Sequence, residues 1–152
     1  EEMSLAELEA AFCATTYRVT VPEASFALRI GVPAPAFDAF LLRLAAQWPA
    51  SDDEPGETTG MCWGIVTAYN PAVLLSEDIN RLAQERLLKR IKALGWYFLP
   101  SSNLADGDVW PVEPSYLVLR ADEQRMRVLA SEFGQLAVVC GRTGSVPKLL
   151  WL

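Results

Sequence analysis

Six side chains carry the chemistry this sequence can offer: Glu113, Asn70, Asn80, Arg81, Trp110 and Gln135. They supply three amides, a carboxylate, a guanidinium and an indole, so a site built from them works by hydrogen bonding and charge. Glu113 stands between Pro111 and Pro114, whose rings stiffen its backbone and fix its direction. A carboxylate held in this way at the mouth of an apolar pocket can act as a general acid or base. It can equally anchor Arg18, Arg29 or Arg81 as a structural ion pair, because a buried carboxylate needs a partner. Asn70 ends an apolar strand just before Pro71 and offers both a donor and an acceptor. Its competing role is a turn residue bonded to its own backbone. Asn80 and Arg81 fall in the first turns of a long helix. There Arg81 can hold an anionic group near the positive helix end, or pair with Glu77 or Glu85. Gln135 follows Gly134 at a helix exit and can reach the face that carries Asn70 and Glu113. Trp110 lies in a polar loop and is the tryptophan expected to be exposed enough to cover a ligand.

Composition removes other chemistries. There is no histidine, so Ser115 lacks the base that would make it a nucleophile. Cys13, Cys62 and Cys140 are an odd, widely spaced set in apolar stretches, expected as buried thiols without a disulfide framework. Asp106-Gly107-Asp108 lacks the remaining ligands of a calcium loop, and Gly141–Ser145 reads as a hairpin turn rather than a phosphate cradle. No metal or cofactor is expected. With 13 basic against 19 acidic residues the net charge is −6, which argues against broad contact with a phosphate backbone. Nucleic acid is therefore not an expected partner. The apolar stretches fall far short of the roughly 20 residues that span a membrane. The Glu1-Glu2 start does not look like a signal peptide, so a cytoplasmic location is the default expectation.

Periodicity supplies the elements that must position these groups. Helices are predicted over 4–14, with Ser4 and Glu7 at capping-box spacing, and over 35–47, ended by Pro49. A third spans 77–94, with Ser76 as cap, Gly95 as terminator and Ile79, Leu82, Leu87, Ile91 and Leu94 as its buried stripe. A fourth follows Asp122 and buries Met126, Leu129, Ala130 and Phe133. Strands are predicted at 17–21, 26–30, 63–69, 96–99, 115–119, 136–140 and 149–152, with 100–112 as a long loop. The acidic stretch 51–60 reads as an exposed loop. Helices and strands alternate along one domain, 1–152. The predicted class is α/β, with α+β as its variant, in the form of a mixed sheet flanked by helices.

The order of these groups resembles a bacterial family known as domain of unknown function 3293. The resemblance runs through Tyr17-Arg18-Val19, Thr67-Ala68-Tyr69-Asn70-Pro71, a helix with Ser76, Asn80 and Arg81, then Asp106-Gly107, Trp110, Glu113-Pro114-Ser115 and Phe133-Gly134-Gln135. Leu136 stands where similar sequences continue with asparagine. The resemblance implies no particular reaction. The leading expectation is a small binding module for a polar ligand or peptide segment. One alternative is a metal-independent hydrolase or transferase using Glu113 as acid or base. Another is a protein-interaction subunit that docks a basic partner on the acidic loop.

Overall fold

The computed structural model describes residues 4–48, 60–71 and 73–152. The acidic stretch 51–59 and Pro49 lie outside the described residues, and with them the docking role assigned to that loop.

Local chemistry starts and stops the helices. Helix α1 (Leu5–Cys13) begins where the Ser4 hydroxyl accepts the Glu7 N–H at 3.1 Å. Helix α2 (Pro35–Gln47) opens on a proline whose missing N–H costs nothing in the first turn. Helix α3 (Glu77–Leu94) is capped by Ser76 and closed by Gly95 at φ 73°, a left-handed position that suits glycine. Helix α4 (Glu123–Glu132) starts where the Asp122 carboxylate accepts the Arg125 N–H at 2.8 Å.

Among the described residues seven strands form one sheet: β1 (Thr15–Val21), β2 (Ala24–Leu28), β3 (Cys62–Val66), β4 (Phe98–Ala105), β5 (Glu113–Leu119), β6 (Ala137–Arg142) and β7 (Lys148–Trp151). Their order is β2-β1-β4-β5-β3-β6-β7. The expected sheet flanked by helices is thus present, and every adjacent pair runs antiparallel, which is the α+β form of the expectation. The sheet curls until its two edges approach one another. Beyond β2, the Gly31 N–H donates to the Pro147 carbonyl before β7 at 2.8 Å. At the other end Phe12 of α1 meets Trp151 edge to face, with centroids 6.2 Å apart. Helix α2 packs on one face of the sheet, where Phe37 and Leu41 share a core with Val19, Leu28, Trp63, Ile65 and Leu117. Leu87, Ile91, Met126 and Leu129 of α3 and α4 pack against Val66, Val118 and Val138 on the other.

Four local expectations are corrected. The strand predicted at 96–99 runs on to Ala105, through what the sequence suggested was loop. Pro100 is tolerated because the ladder to β1 begins only at Ser101, so β5 alone flanks the proline. The strand predicted at 63–69 stops at Val66 because the next N–H groups go to side chains. Ile79 and Leu82 are exposed, and α3 instead buries Asn80, Gln84, Leu87 and Ile91. Of the cysteines only Cys140 is buried; Cys13 is exposed and Cys62 intermediate. Burial pushes the Cys140 thiol up to about 11. Among the described residues no helix is long and apolar enough to cross a membrane.

Two glycines mark where the core is closest. A Cβ at Gly141 would run into the buried Trp63 ring, and one at Gly64 into the Met126 side chain. Over-packing costs about 1–3 kcal/mol. The ring cannot yield, whereas the unbranched thioether can re-route. Gly141→Ala should therefore fall at the upper end of that range and Gly64→Ala at the lower, as read by urea denaturation. A Gly141→Ala protein as stable as its parent would contradict this packing.

Candidate functional site

Past Val66 the chain leaves the sheet, and its backbone groups must be satisfied by side chains. The Thr67 hydroxyl donates to the Pro114 carbonyl at 2.8 Å and accepts the Tyr69 N–H at 3.0 Å. Gln84 reaches up from α3, accepting the Ala68 N–H at 2.8 Å and donating to the Pro114 carbonyl at 3.1 Å. One turn earlier on the same helix, Asn80 grips Asn70 twice. It accepts the Asn70 N–H at 2.9 Å and donates to Asn70 Oδ1 at 2.7 Å. Asn70 Oδ1 also accepts the Leu75 N–H at 2.8 Å. Asn70 itself holds φ 47°, a left-handed conformation that asparagine tolerates better than most residues.

This arrangement leaves the Asn70 amide nitrogen pointing at Glu113. It donates to Glu113 Oε2 at 2.6 Å, and the Trp110 indole N–H donates to the same oxygen at 2.7 Å. Glu113 is half-buried and Trp110 is 42% exposed. Gln135 donates to the Tyr69 carbonyl at 3.3 Å. Gly134, at φ 67°, lies so close to Pro71 that a Cβ there would stand 3.3 Å from the proline ring. The Phe133-Gly134-Gln135 and Tyr69-Asn70-Pro71 groups thus meet in space.

Five of the six candidates therefore gather around one loop: Asn70, Asn80, Trp110, Glu113 and Gln135. Arg81 does not join them. It lies on the exposed side of α3, 3.3 Å from Asp78, rather than paired with Glu77 or Glu85. Nor does an arginine pair with Glu113 among the described residues. Arg18 contacts Ser25 at 3.4 Å, and Arg29 holds both oxygens of Asp106 at 2.9 and 2.8 Å. That guanidinium keeps the Asp106 carboxyl below its ordinary value.

A second polar row lies beside Glu113. Ser115 donates to Asn103 Oδ1 at 2.7 Å, so the 2.7 Å contact between Ser101 and Ser115 uses the Ser101 proton. Both serines are buried, and the Ser115 proton is committed to an amide rather than to a base. Tyr69 donates to Glu77 Oε1 at 2.8 Å; burial, and then that bond and the Glu77 charge, push its phenol up to about 12. A separate cavity of about 180 Å³ lies between the end of α3 and α4, lined by Leu94, Trp96, Val128 and Leu129.

Gln84 and Asn103 are the two residues that sequence reasoning missed. Gln84 carried a signal, since Asn80, Gln84, Leu87 and Ile91 fall at helical spacing and form one stripe. Asn103 carried none, because its stretch reads as loop once Pro100 is taken as a strand terminator.

Fold and site together define a small domain of helices on a curled, antiparallel sheet, with a polar cluster where β3 gives way to a side-chain-held loop. Residues 66–138, slightly under half of the chain, match the model of a family described as "Protein of unknown function (DUF3293)". The matched stretch contains Thr67, Asn70, Asn80, Gln84, Asn103, Trp110, Glu113 and Gln135. Comparison with curated proteins and with solved structures finds no match.

Asn80 is 2% exposed, so its loss strands buried donors. Asn80→Ala should cost about 2–3 kcal/mol in chemical denaturation. Arg81→Ala should change stability by less than about 0.5 kcal/mol. Equal effects would mean that the loop is not held from α3. A second expectation concerns alkaline pH. Tyr69 ionises at about 12 in the fold against an ordinary value of 10.0. The fold therefore favours its neutral form. That stabilisation is complete below pH 10 and is lost as pH rises toward 12. Burial also raises Tyr17 and Tyr116, so tyrosinate absorbance titration should show a late phase whose amplitude Tyr69→Phe lowers by one tyrosine. A Tyr69 that titrates with free tyrosine would contradict both its burial and its bond to Glu77.

Proposed function

We propose that this domain is a binding module that takes up a small polar ligand at Glu113, with Trp110 beside it. One observation carries the reading. The Glu113 carboxylate is held through a single oxygen by two neutral donors, at 2.6 and 2.7 Å, in a half-buried position. Neutral donors orient a carboxylate without cancelling its charge, so it remains able to receive an N–H or a cation. A structural ion pair would have spent that charge inside the protein.

The other residues divide by what their polar atoms still offer. Asn80 and Gln84 are buried, with both ends of each amide engaged. They shape the site rather than contact the ligand. Asn70 aims Glu113, and Gln135 holds the loop through Tyr69. Trp110 adds an exposed aromatic surface next to the carboxylate, a combination that suits a ligand with a flat or apolar body and a polar edge. Arg81, already paired with Asp78, is outside this reading.

The test is a screen of amino acids, nucleotides and sugar phosphates, read at the Trp110 indole by NMR. A saturable ligand should bind at least about tenfold more weakly to Glu113→Gln, since a charge-assisted hydrogen bond is worth roughly 1.5–3 kcal/mol. The glutamine keeps an oxygen for Asn70 and Trp110, so the fold should persist. Unchanged affinity in that variant, or an indole that no compound moves, would overturn the proposal.

A further inference from the structure

We infer that Asn103 completes the binding surface at Glu113, and that the ligand presents a planar edge with a hydrogen-bond acceptor beside an N–H donor, as a carboxamide or a nucleobase does. The inference rests on Glu113 being a ligand contact and goes on to name what it contacts.

Asn103 and Glu113 are direct cross-strand partners in the β4–β5 ladder. Side chains so placed have Cβ atoms about 4.5–5.5 Å apart on one face. Each is oriented from within by bonds that use one half of its polar group. The Ser101–Ser115 hydroxyl chain ends on Asn103 Oδ1, and both serines are nearly inaccessible, at 6% and 2%. This locks the amide, with its oxygen turned to the serines and its NH₂ group left over. Glu113 spends Oε2 on Asn70 and Trp110, which leaves Oε1. Among the described residues no partner is recorded for Asn103 Nδ2 or Glu113 Oε1, and no buried side-chain nitrogen or oxygen lacks one. Neither atom is therefore fully enclosed.

An unspent donor thus stands beside an unspent, charged acceptor, and this pairing discriminates between ligands. A simple ammonium satisfies Glu113 but leaves the Asn103 donor unmet. A carboxylate or phosphate suits Asn103 but is repelled by Glu113. A carboxamide turns its C=O to Asn103 and its N–H to Glu113, and an adenine edge offers the same pair through a ring nitrogen and its amino group. Trp110, tethered by its N–H to the same carboxylate and 42% exposed, supplies a face on which such a planar group can stack.

The experiment titrates the full chain with nicotinamide, adenine and benzylamine while NMR follows the Trp110 indole and the Asn103 side-chain amide. Nicotinamide represents the carboxamide source and adenine the nucleobase source; benzylamine has a flat ring and a cation but no acceptor. Nicotinamide or adenine should shift both signals saturably, and the one that binds more tightly identifies the source. Asn103→Asp replaces the free donor with an acceptor yet still receives the Ser115 proton. It should weaken that binding at least tenfold. The Asn103 amide signal of the unmodified protein needs no variant and decides the matter if the substitution disturbs folding. If benzylamine binds as well as the other two and the Asn103 amide does not move, the ligand class is wrong while the role of Glu113 stands. If none of the three moves either signal, the inference falls, and the broader screen separately decides whether Glu113 binds anything.

Discussion

When the chain leaves β3 after Val66, it passes into a region too crowded for water to solvate its backbone, and the sheet no longer supplies partners. The N–H groups of Ala68, Tyr69 and Asn70 must be bonded by something. Gln84, Thr67 and Asn80 do this in turn. The Asn80–Asn70 pair matters most, because it fixes both the backbone and the side chain of Asn70. Once the Asn70 carbonyl oxygen is turned toward Asn80 and Leu75, its NH₂ group is aimed at Glu113. A requirement of the backbone thereby becomes the orientation of a carboxylate.

The curl of the sheet makes this possible. Its strands splay polar residues over one end of β1, β4 and β5, beyond the apolar core around α2. Ser101, Asn103, Glu113 and Ser115 share a face there by register, and the Gly31–Pro147 bond and the Phe12–Trp151 contact tie the two edges of the sheet together. Helix α3 has two jobs along one stripe. Its first turns bury amides that hold the loop, and its later turns bury Leu87 and Ile91 against the sheet. The change from polar to apolar along a single buried face is what couples the loop to the core.

Much of this was legible in the chain. The bounds of α2 and α3 follow from apolar spacing and from Pro49, Ser76 and Gly95. From their places at element ends Asn70, Asn80, Arg81, Glu113 and Gln135 were expected to cluster. Hydrogen bonds link Asn70 to Asn80 and to Glu113 and tie Gln135 to the same loop, Trp110 from the polar loop joins at Glu113, and Arg81 stays apart on Asp78. What misled was the habit of reading burial from hydrophobicity. Ile79 and Leu82 look like the inward face of α3, yet Asn80 and Gln84 are inward because the loop they satisfy lies there. Hydrophobic spacing cannot register a buried amide, since it scores the side chain and not the backbone waiting for it. Pro100 misled in the same way, because its effect on a strand depends on whether neighbours flank it on both sides.

The sequence by itself determined the helices, most of the strands, the polar character of the site and the lack of a histidine. These rest on local propensity and on residue types, which are properties of short stretches. Only the tertiary structure decided that Glu113 is held by neutral donors, that Arg81 stands apart, and that Asn103 lies opposite Glu113. Those facts depend on strand register and on which face of α3 meets the loop. Both are set by packing between segments distant in the chain, where no short-range pattern reaches.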